Sequence, residues 1–332
     1  MTDNTSVRLA KRPTGLPTDD VWDVVTEPAP EPGDGEFLLR TRYISVDPAM
    51  RGWMNDVRSY VPPVGLGEVM RAGVVGEVVA SRAGRFPEGA HVVATTGVQE
   101  YAVSDGAGVQ VVDPAKAPLP TYLGALGMTG MTAYFGLLDV GRPRAGETVV
   151  VSGAAGATGS VVGQIAKIHG CRVVGIAGGA AKCRAVVEEL GFDACIDYRD
   201  DLRAGLRRET PDKVDVYFDN VGGEVLDAVL PRLALRGRVV LCGAVSQYNA
   251  EGRMTGPANY MSLLVSRARM EGFLVFDYAD RFPEALREMS GWLADGRLVS
   301  QETVVEGGVR AFPGALRKLF AGENTGKLVL KV

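Results

Sequence analysis

The sequence predicts an α/β protein: a doubly wound parallel sheet with helices on both faces, accompanied by a second, strand-rich unit. Three observations carry the prediction. From Gly124 onward, short apolar runs alternate with amphipathic segments, as in "TVVVSG" followed by "GSVVGQIAKIHG" and "RVVGIAG" followed by "AKCRAVVEELG". Buried strands alternating with helices are the pattern of a parallel sheet covered on both sides. Before Gly124 the chain instead alternates bulky and polar residues in short runs broken by Gly and Pro, which reads as half-buried strands. Finally, Gly153, Gly156 and Gly159 fall between the first apolar strand and the first helix of the second region, where such sheets bring their backbone close to a ligand.

The elements follow in order. "EFLLRTRYISV" (Glu36 to Val46), "AGVVGEVVASR" and "GAHVVATTGVQEYAVS" are strands of the first region. In the second, a strand over Thr148 to Val151 leads to a helix expected to open near Ser160. It is followed by "ACIDY" with a charged helix, "VDVYFDNVG" with "EVLDAVLPRLALRG", and "RVVLCGAV". "MEGFLVFDY" (Met270 to Tyr278) reads as the last strand of this sheet. In a monomer it would leave an exposed apolar edge, and pairing across a twofold axis would cover it, so a homodimer is expected. The final "GKLVLKV" reads as a strand returning to the first region. The expected division is therefore a discontinuous unit, residues 1–123 with 296–332, around a second unit at 124–295.

Composition narrows the function. With 332 residues, 46% of them hydrophobic, each unit can bury a substantial core. A formal net charge of -4 without a basic stripe argues against nucleic acid as a partner. The polar start "MTDNTSVRLAKRPTG" lacks an apolar signal region, and no apolar run approaches a membrane span. The expectation is a soluble cytoplasmic protein. Four cysteines without a CxxC pair fit reduced thiols. Inert burial is the plain reading of each, and Lys182 gives Cys183 a route to a lowered thiol pKa.

The glycines space as GxxGxxG. In a strand-turn-helix the first permits the turn, the second admits a pyrophosphate close to the backbone, and the third lets helix pack on strand. The helix N-terminus adds free N–H groups and partial positive charge. About 20 residues further on, an NAD site offers a carboxylate to the adenosine ribose. Here "RVVGIAG" runs into Gly179, Ala180, Ala181 and Lys182, small residues and a cation. A carboxylate would repel a 2'-phosphate and Lys182 would bind it, so NADPH is the expected cofactor.

Chemistry must come mainly from that cofactor. No set of Cys and His suits a catalytic or structural zinc, and no metal is expected. Only two histidines are present; His91 sits in a strand and His169 near a helix end, both structural in character. There is no G-x-S-x-G elbow or Cys/His pairing of a hydrolase.

Several longer motifs resemble one family throughout nearly the whole chain: "ISVDPAMRGWM", "LGMTGMTAYFGLL", "AAGATGSVVGQIAKIHGCRVVGIAGG", "ELGFDACIDY", "VYFDNVGGEVLDAVL", "CGAVSQYN", "EGFLVFDY" and "GENTGKLVLKV". They are similar to the zinc-independent medium-chain dehydrogenase/reductases, in the branch of prostaglandin, 2-alkenal and bacterial curcumin reductases. The resemblance implies a Rossmann-type cofactor domain and a GroES-like, partly open barrel for substrate. It implies that Gly156, Ala157, Thr158 and Gly159 lie on the pyrophosphate, with Gly153 at the turn and Gly179, Lys182 and Tyr198 at the adenosine-phosphate end. Asn220 and the loop Cys242 to Tyr248, including Gly243, Ala244 and Ser246, would follow the dinucleotide. Phe273, Leu274, Val275, Asn324, Met128 and Thr129 would border the nicotinamide half.

The sequence departs from that pattern at Ala49 and Val265, where tyrosines are usual; Tyr60 is retained. A reshaped pocket between the two units is expected. The implied activity is reduction of the carbon-carbon double bond of a small apolar enone or enal, with Tyr248 donating to the developing oxyanion and Tyr60 near the substrate. A phenol with an ordinary pKa of about 10 donates a hydrogen bond well but gives up its proton less readily, so water is a suitable proton source. Quinone reduction, metal-free alcohol/ketone interconversion and NADPH binding without turnover remain open from the sequence.

Overall fold

The computed structural model describes residues 2–252 and 254–332. The strands are β1 (Asp3–Leu9), β2 (Trp22–Pro28), β3 (Phe37–Ser45), β4 (Val74–Ser81), β5 (His91–Ala94), β6 (Tyr101–Ser104), β7 (Gln110–Val112), β8 (Thr148–Ser152), β9 (Arg172–Ala177), β10 (Ala194–Asp197), β11 (Val214–Asp219), β12 (Leu233–Leu241), β13 (Arg269–Gly272), β14 (Glu302–Val305) and β15 (Lys327–Lys331). The helices are α1 (Ala49–Trp53), α2 (Met128–Phe135), α3 (Ala157–Ile168), α4 (Ala180–Glu188), α5 (Leu202–Glu209), α6 (Gly223–Val229), α7 (Met261–Ser266), α8 (Phe282–Ala294) and α9 (Phe312–Phe320).

The chain forms two compact units, residues 1–123 with 302–332, and residues 124–301. Residues 296–301, assigned by the sequence reading to the strand-rich unit, group with the second. Gln164 on α3 explains why: its side-chain amide donates through Nε2 to Val299 O at 3.1 Å, and its Oε1 accepts from Val299 N–H at 2.7 Å. Gln301 is held in turn by Glu189.

In the first unit a sheet of order β14-β15-β3-β4-β5-β7 carries β6 on β3, and β1 pairs with β2. The terminal strand β15 runs antiparallel to β3. Alternate residues Phe37 and Leu39 turn inward to a core shared with Val78, Val92, Leu328 and Phe312. Lys327 is buried, and its ammonium donates to Asp47 Oδ1 at 2.7 Å and Val46 O at 2.9 Å. A buried cation is tolerated when paired and hydrogen-bonded in this way.

The second unit is a six-stranded sheet of order β10-β9-β8-β11-β12-β13, with the adjacent strands parallel. Strand β8 is buried at all five residues, as a central strand covered on both faces must be. Val150, Tyr217 and Val239 pack with Leu206 of α5 and Val225 of α6 on one side. The alternate residues Val149 and Val151 face the other side, and helix α2 packs on both α3 and α8. Two departures from the sequence reading concern element ends. Helix α3 opens at Ala157, ahead of Ser160, because Gly156 adopts the extended conformation of an N-cap. "MEGFLVFDY" is strand only to Gly272; the backbone then turns, with Asp277 N–H bonded to Leu274 O, into a 3-10 helix over Val275–Arg281.

Candidate active site

The sequence-predicted residues of the second unit gather at the carboxyl ends of its parallel strands. The strand order reverses between β8 and β11, and in open α/β sheets the crevice at that reversal is where ligands bind. Here it is held by Ser152, Asp219 and Asn220. The Asn220 side-chain amide donates to Ser152 O at 2.7 Å, and its backbone N–H donates to Ser152 Oγ at 2.9 Å. Asp219, 0% exposed, accepts at Oδ1 from the Ser152 hydroxyl (3.0 Å), the Tyr217 hydroxyl (2.7 Å), and the N–H groups of Val221 (3.0 Å) and Gly222 (2.9 Å). Four donors on one buried carboxylate oxygen fix the loop that presents Asn220. Sequence reasoning missed Ser152 and Asp219; an aspartate closing an apolar strand, in "YFDN", was the signal available.

Gly153 leaves β8, Gly156 caps α3, and Ala157, Thr158 and Gly159 form its first turn. The N–H groups of a first helical turn have no partner within the helix, which suits them to a phosphate. A Cβ at Gly159 would sit 2.2 Å from Gly153 O, so only glycine lets the turn and the helix approach this closely.

The next turn is built from β9, β10 and α4. After Ala177 come Gly178 and Gly179, then α4 with Lys182 in its first turn. The ring of Tyr198 lies against Gly178, where a Cβ would come within 2.9 Å of it. Asp197 Oδ1 accepts from Gly179 N–H at 2.9 Å and from Arg199 N–H at 3.0 Å, tying the two strand ends together. Lys182 is half-buried, and its ammonium pKa is held below the usual lysine range, first by loss of water around it and then by the charge of Arg199. Two cations close enough to repel one another are a receptive place for a dianion. Arg199 was not foreseen; it follows Tyr198 in "DYRD", and only the meeting of β9 and β10 brings it beside the lysine.

Beyond β12, the loop Cys242 to Tyr248 is stapled onto the end of β11. Cys242 and Gly243 N–H donate to Asp219 O at 2.9 and 3.1 Å, Val245 N–H to Asn220 O at 3.2 Å, and the Ser246 hydroxyl to Val221 O at 2.6 Å. Tyr248 folds back over this loop, its hydroxyl oxygen accepting from Ala244 N–H at 3.2 Å. Burial, followed by the Asp219 charge, pushes the Cys242 thiol up to about 12, which makes it a packing residue rather than a nucleophile. At Cys183 the lowering that Lys182 could have given is not seen. Burial outweighs any help from its neighbours and raises its thiol pKa.

Phe273 follows β13 with its ring edge-on to Phe218 at 6.5 Å, and Leu274 and Val275 lead into the 3-10 helix. Met128 and Thr129 open α2, the Thr129 hydroxyl bonded to Gly124 O at 3.0 Å. In the first unit, Tyr60 is exposed and its hydroxyl accepts from Trp53 Nε1 at 3.3 Å, while Asn324 is buried with its amide on Gly326 O at 2.8 Å. Ala49 opens α1, and Val265 lies exposed on α7.

Residues 5–112 match a family model described as the N-terminal domain of oxidoreductase, and residues 157–291 match one described as zinc-binding dehydrogenase. The NADPH-dependent curcumin reductase of Escherichia coli is 44% identical over 331 residues, spanning 98% of this chain and 95% of its own. The 2-alkenal reductase (NADP(+)-dependent) of Nicotiana tabacum is 40% identical over 337 residues, 99% of this chain and 97% of its own. The crystal structure of CurA from Vibrio vulnificus in complex with NADPH matches with a TM-score of 0.94 at 44% identity, covering 99% of each chain. The chain belongs to the medium-chain dehydrogenase/reductases. It falls in the zinc-independent branch of curcumin, prostaglandin and 2-alkenal reductases and is an oxidoreductase. Among the described residues no group of three or more His, Cys, Asp or Glu could hold a metal ion, and no helix is long and apolar enough to cross a membrane.

Proposed function

We propose that the chain reduces the carbon-carbon double bond of α,β-unsaturated ketones and aldehydes with NADPH. The observation that carries the reading is the pair of cations, Lys182 and Arg199, at the turn where an NAD site carries a carboxylate, in a chain of this reductase branch. The residues present fit the cofactor. The first turn of α3 would take the pyrophosphate, Lys182, Arg199 and Tyr198 the 2'-phosphate and adenosine, and Asn220 with the loop 242–248 the middle of the dinucleotide. Met128, Thr129, Phe273, Leu274 and Val275 are assigned to the nicotinamide half. When bound, NADPH supplies a hydride.

Reduction at the β-carbon of an enone leaves negative charge on the carbonyl oxygen. Tyr248 is assigned the donor to that oxygen. Its hydroxyl oxygen accepts from Ala244 N–H at 3.2 Å, a bond that orients the group on the cofactor loop. A donor fixed before charge develops stabilises the transition state more than the substrate. Protonation of the α-carbon is assigned to water. A homodimer is supported by the outer position of β13 and by exposed Met261, Leu264 and Val265 on neighbouring α7.

The test is NADPH oxidation followed with a panel of enones, enals, quinones and simple ketones. Turnover is expected with enones and enals, giving the saturated carbonyl compound. Turnover confined to quinones or simple ketones, or none with any class, would overturn the assignment.

A further inference from the structure

Two of the four cysteines lie together although they come from different elements. Cys183 is on α4 and Cys195 on β10; both are free thiols, and their Sγ atoms are 2.6 Å apart, with the Cys195 thiol donating to Cys183. That separation is little more than half an ångström beyond a disulfide bond of about 2.05 Å. The other two differ: Cys171 donates to Arg144 O at 3.4 Å, and Cys242 sits in the loop after β12. We propose that Cys183 and Cys195 form a redox-modification site, a dithiol that low-molecular-weight disulfides oxidise to a reversible intramolecular disulfide.

The geometry orders the two sulfurs. Burial raises both thiol pKa values, but the bond from Cys195 lowers that of Cys183, while the same contact pushes Cys195 further up. Cys183 is therefore the first to attack, since the thiolate is the nucleophile in exchange. Its sulfur bonds to one sulfur of the external disulfide, breaking that S–S bond and expelling one thiol, and a mixed disulfide forms at Cys183. Cys195 then loses its proton, attacks Cys183 Sγ and expels the second thiol. The two cysteines lose two electrons and two protons, and the external disulfide gains them as two thiols. The new bond ties the helix that carries Lys182 to the strand whose Asp197 holds Gly179 N–H. Oxidation would thus fix α4 to β10 beside the turn between β9 and α4. The geometric basis is independent of the proposed activity, so failure of either leaves the other standing.

The full chain is incubated folded with excess oxidised glutathione, acid-quenched, alkylated, and mapped by mass spectrometry without reduction. The expected product is a Cys183–Cys195 cross-linked peptide pair, with the intact mass lowered by two hydrogens, Cys171 and Cys242 alkylated, and full reversal by a thiol reductant. In Cys195→Ser the reaction should stop at the glutathione adduct on Cys183. If that variant does not fold, the map of the unaltered chain decides. Four alkylated thiols after oxidation, a glutathione adduct on Cys183 that persists in the unaltered chain, or cross-links to Cys171 or Cys242 would each overturn the proposal.

Discussion

Replacing Tyr248 by Phe is expected to lower kcat and kcat/KM together by about 10- to 1,000-fold, with the enone KM little changed, because the bond assigned to its hydroxyl would be made mainly in the transition state. The same hydroxyl accepts from Ala244 N–H, so the substitution also removes one tie within the loop 242–248. Direct titration of NADPH separates the two consequences. If the loop is held by its other bonds to Asp219, Asn220 and Val221, cofactor affinity in Tyr248→Phe stays within a few-fold of the unaltered chain. A variant with unchanged kcat, or one whose whole defect is weaker NADPH binding, would show that Tyr248 only shapes the loop.

The second large effect is expected at the other end of the cofactor. Lys182→Ala should weaken NADPH binding by about 1.5–3 kcal/mol, the range for a hydrogen bond to a charged group, or roughly ten- to a hundredfold. NADH binding should barely move. Arg199→Ala should act in the same direction and more weakly, since that side chain is exposed. The pH dependence follows from the lowered lysine pKa. The protonated ammonium binds the phosphate; as pH rises through its depressed pKa the charge is lost, so NADPH affinity should fall earlier on the alkaline side than an ordinary lysine would allow. The fall should be absent for NADH and in Lys182→Ala. Equal losses for both cofactors would sink the assignment.

What the sequence made legible was whatever depends on local spacing. The glycines between β8 and α3, the lysine after β9 and the alternation of strands and helices are patterns within one turn or one element. Contacts between elements were not legible in the same way. Arg199 and Lys182 are brought together by the pairing of β9 with β10, and Asp219 gathers donors from two strands and a loop. Cys183 meets Cys195 through the same strand pairing, a contact that its sequence neighbour Lys182 does not announce. "MEGFLVFDY" failed for a related reason. Its apolar run is continuous, but after Gly272 the backbone bonds locally, Asp277 N–H to Leu274 O, in a 3-10 helix that the run does not reveal. Residues 296–301 read as the start of the segment returning to the strand-rich unit until Gln164 is seen holding Val299 from both sides.

The most direct test of the central assignment follows the transferred hydride. The chain is supplied with NADPH deuterated at the transferable position and an enone whose carbonyl carbon and β-carbon are distinguishable, and the product is examined by NMR. The account predicts a saturated ketone with deuterium on the β-carbon and a solvent-derived proton on the α-carbon. Deuterium on the carbonyl carbon, giving an allylic alcohol with the double bond intact, would contradict it.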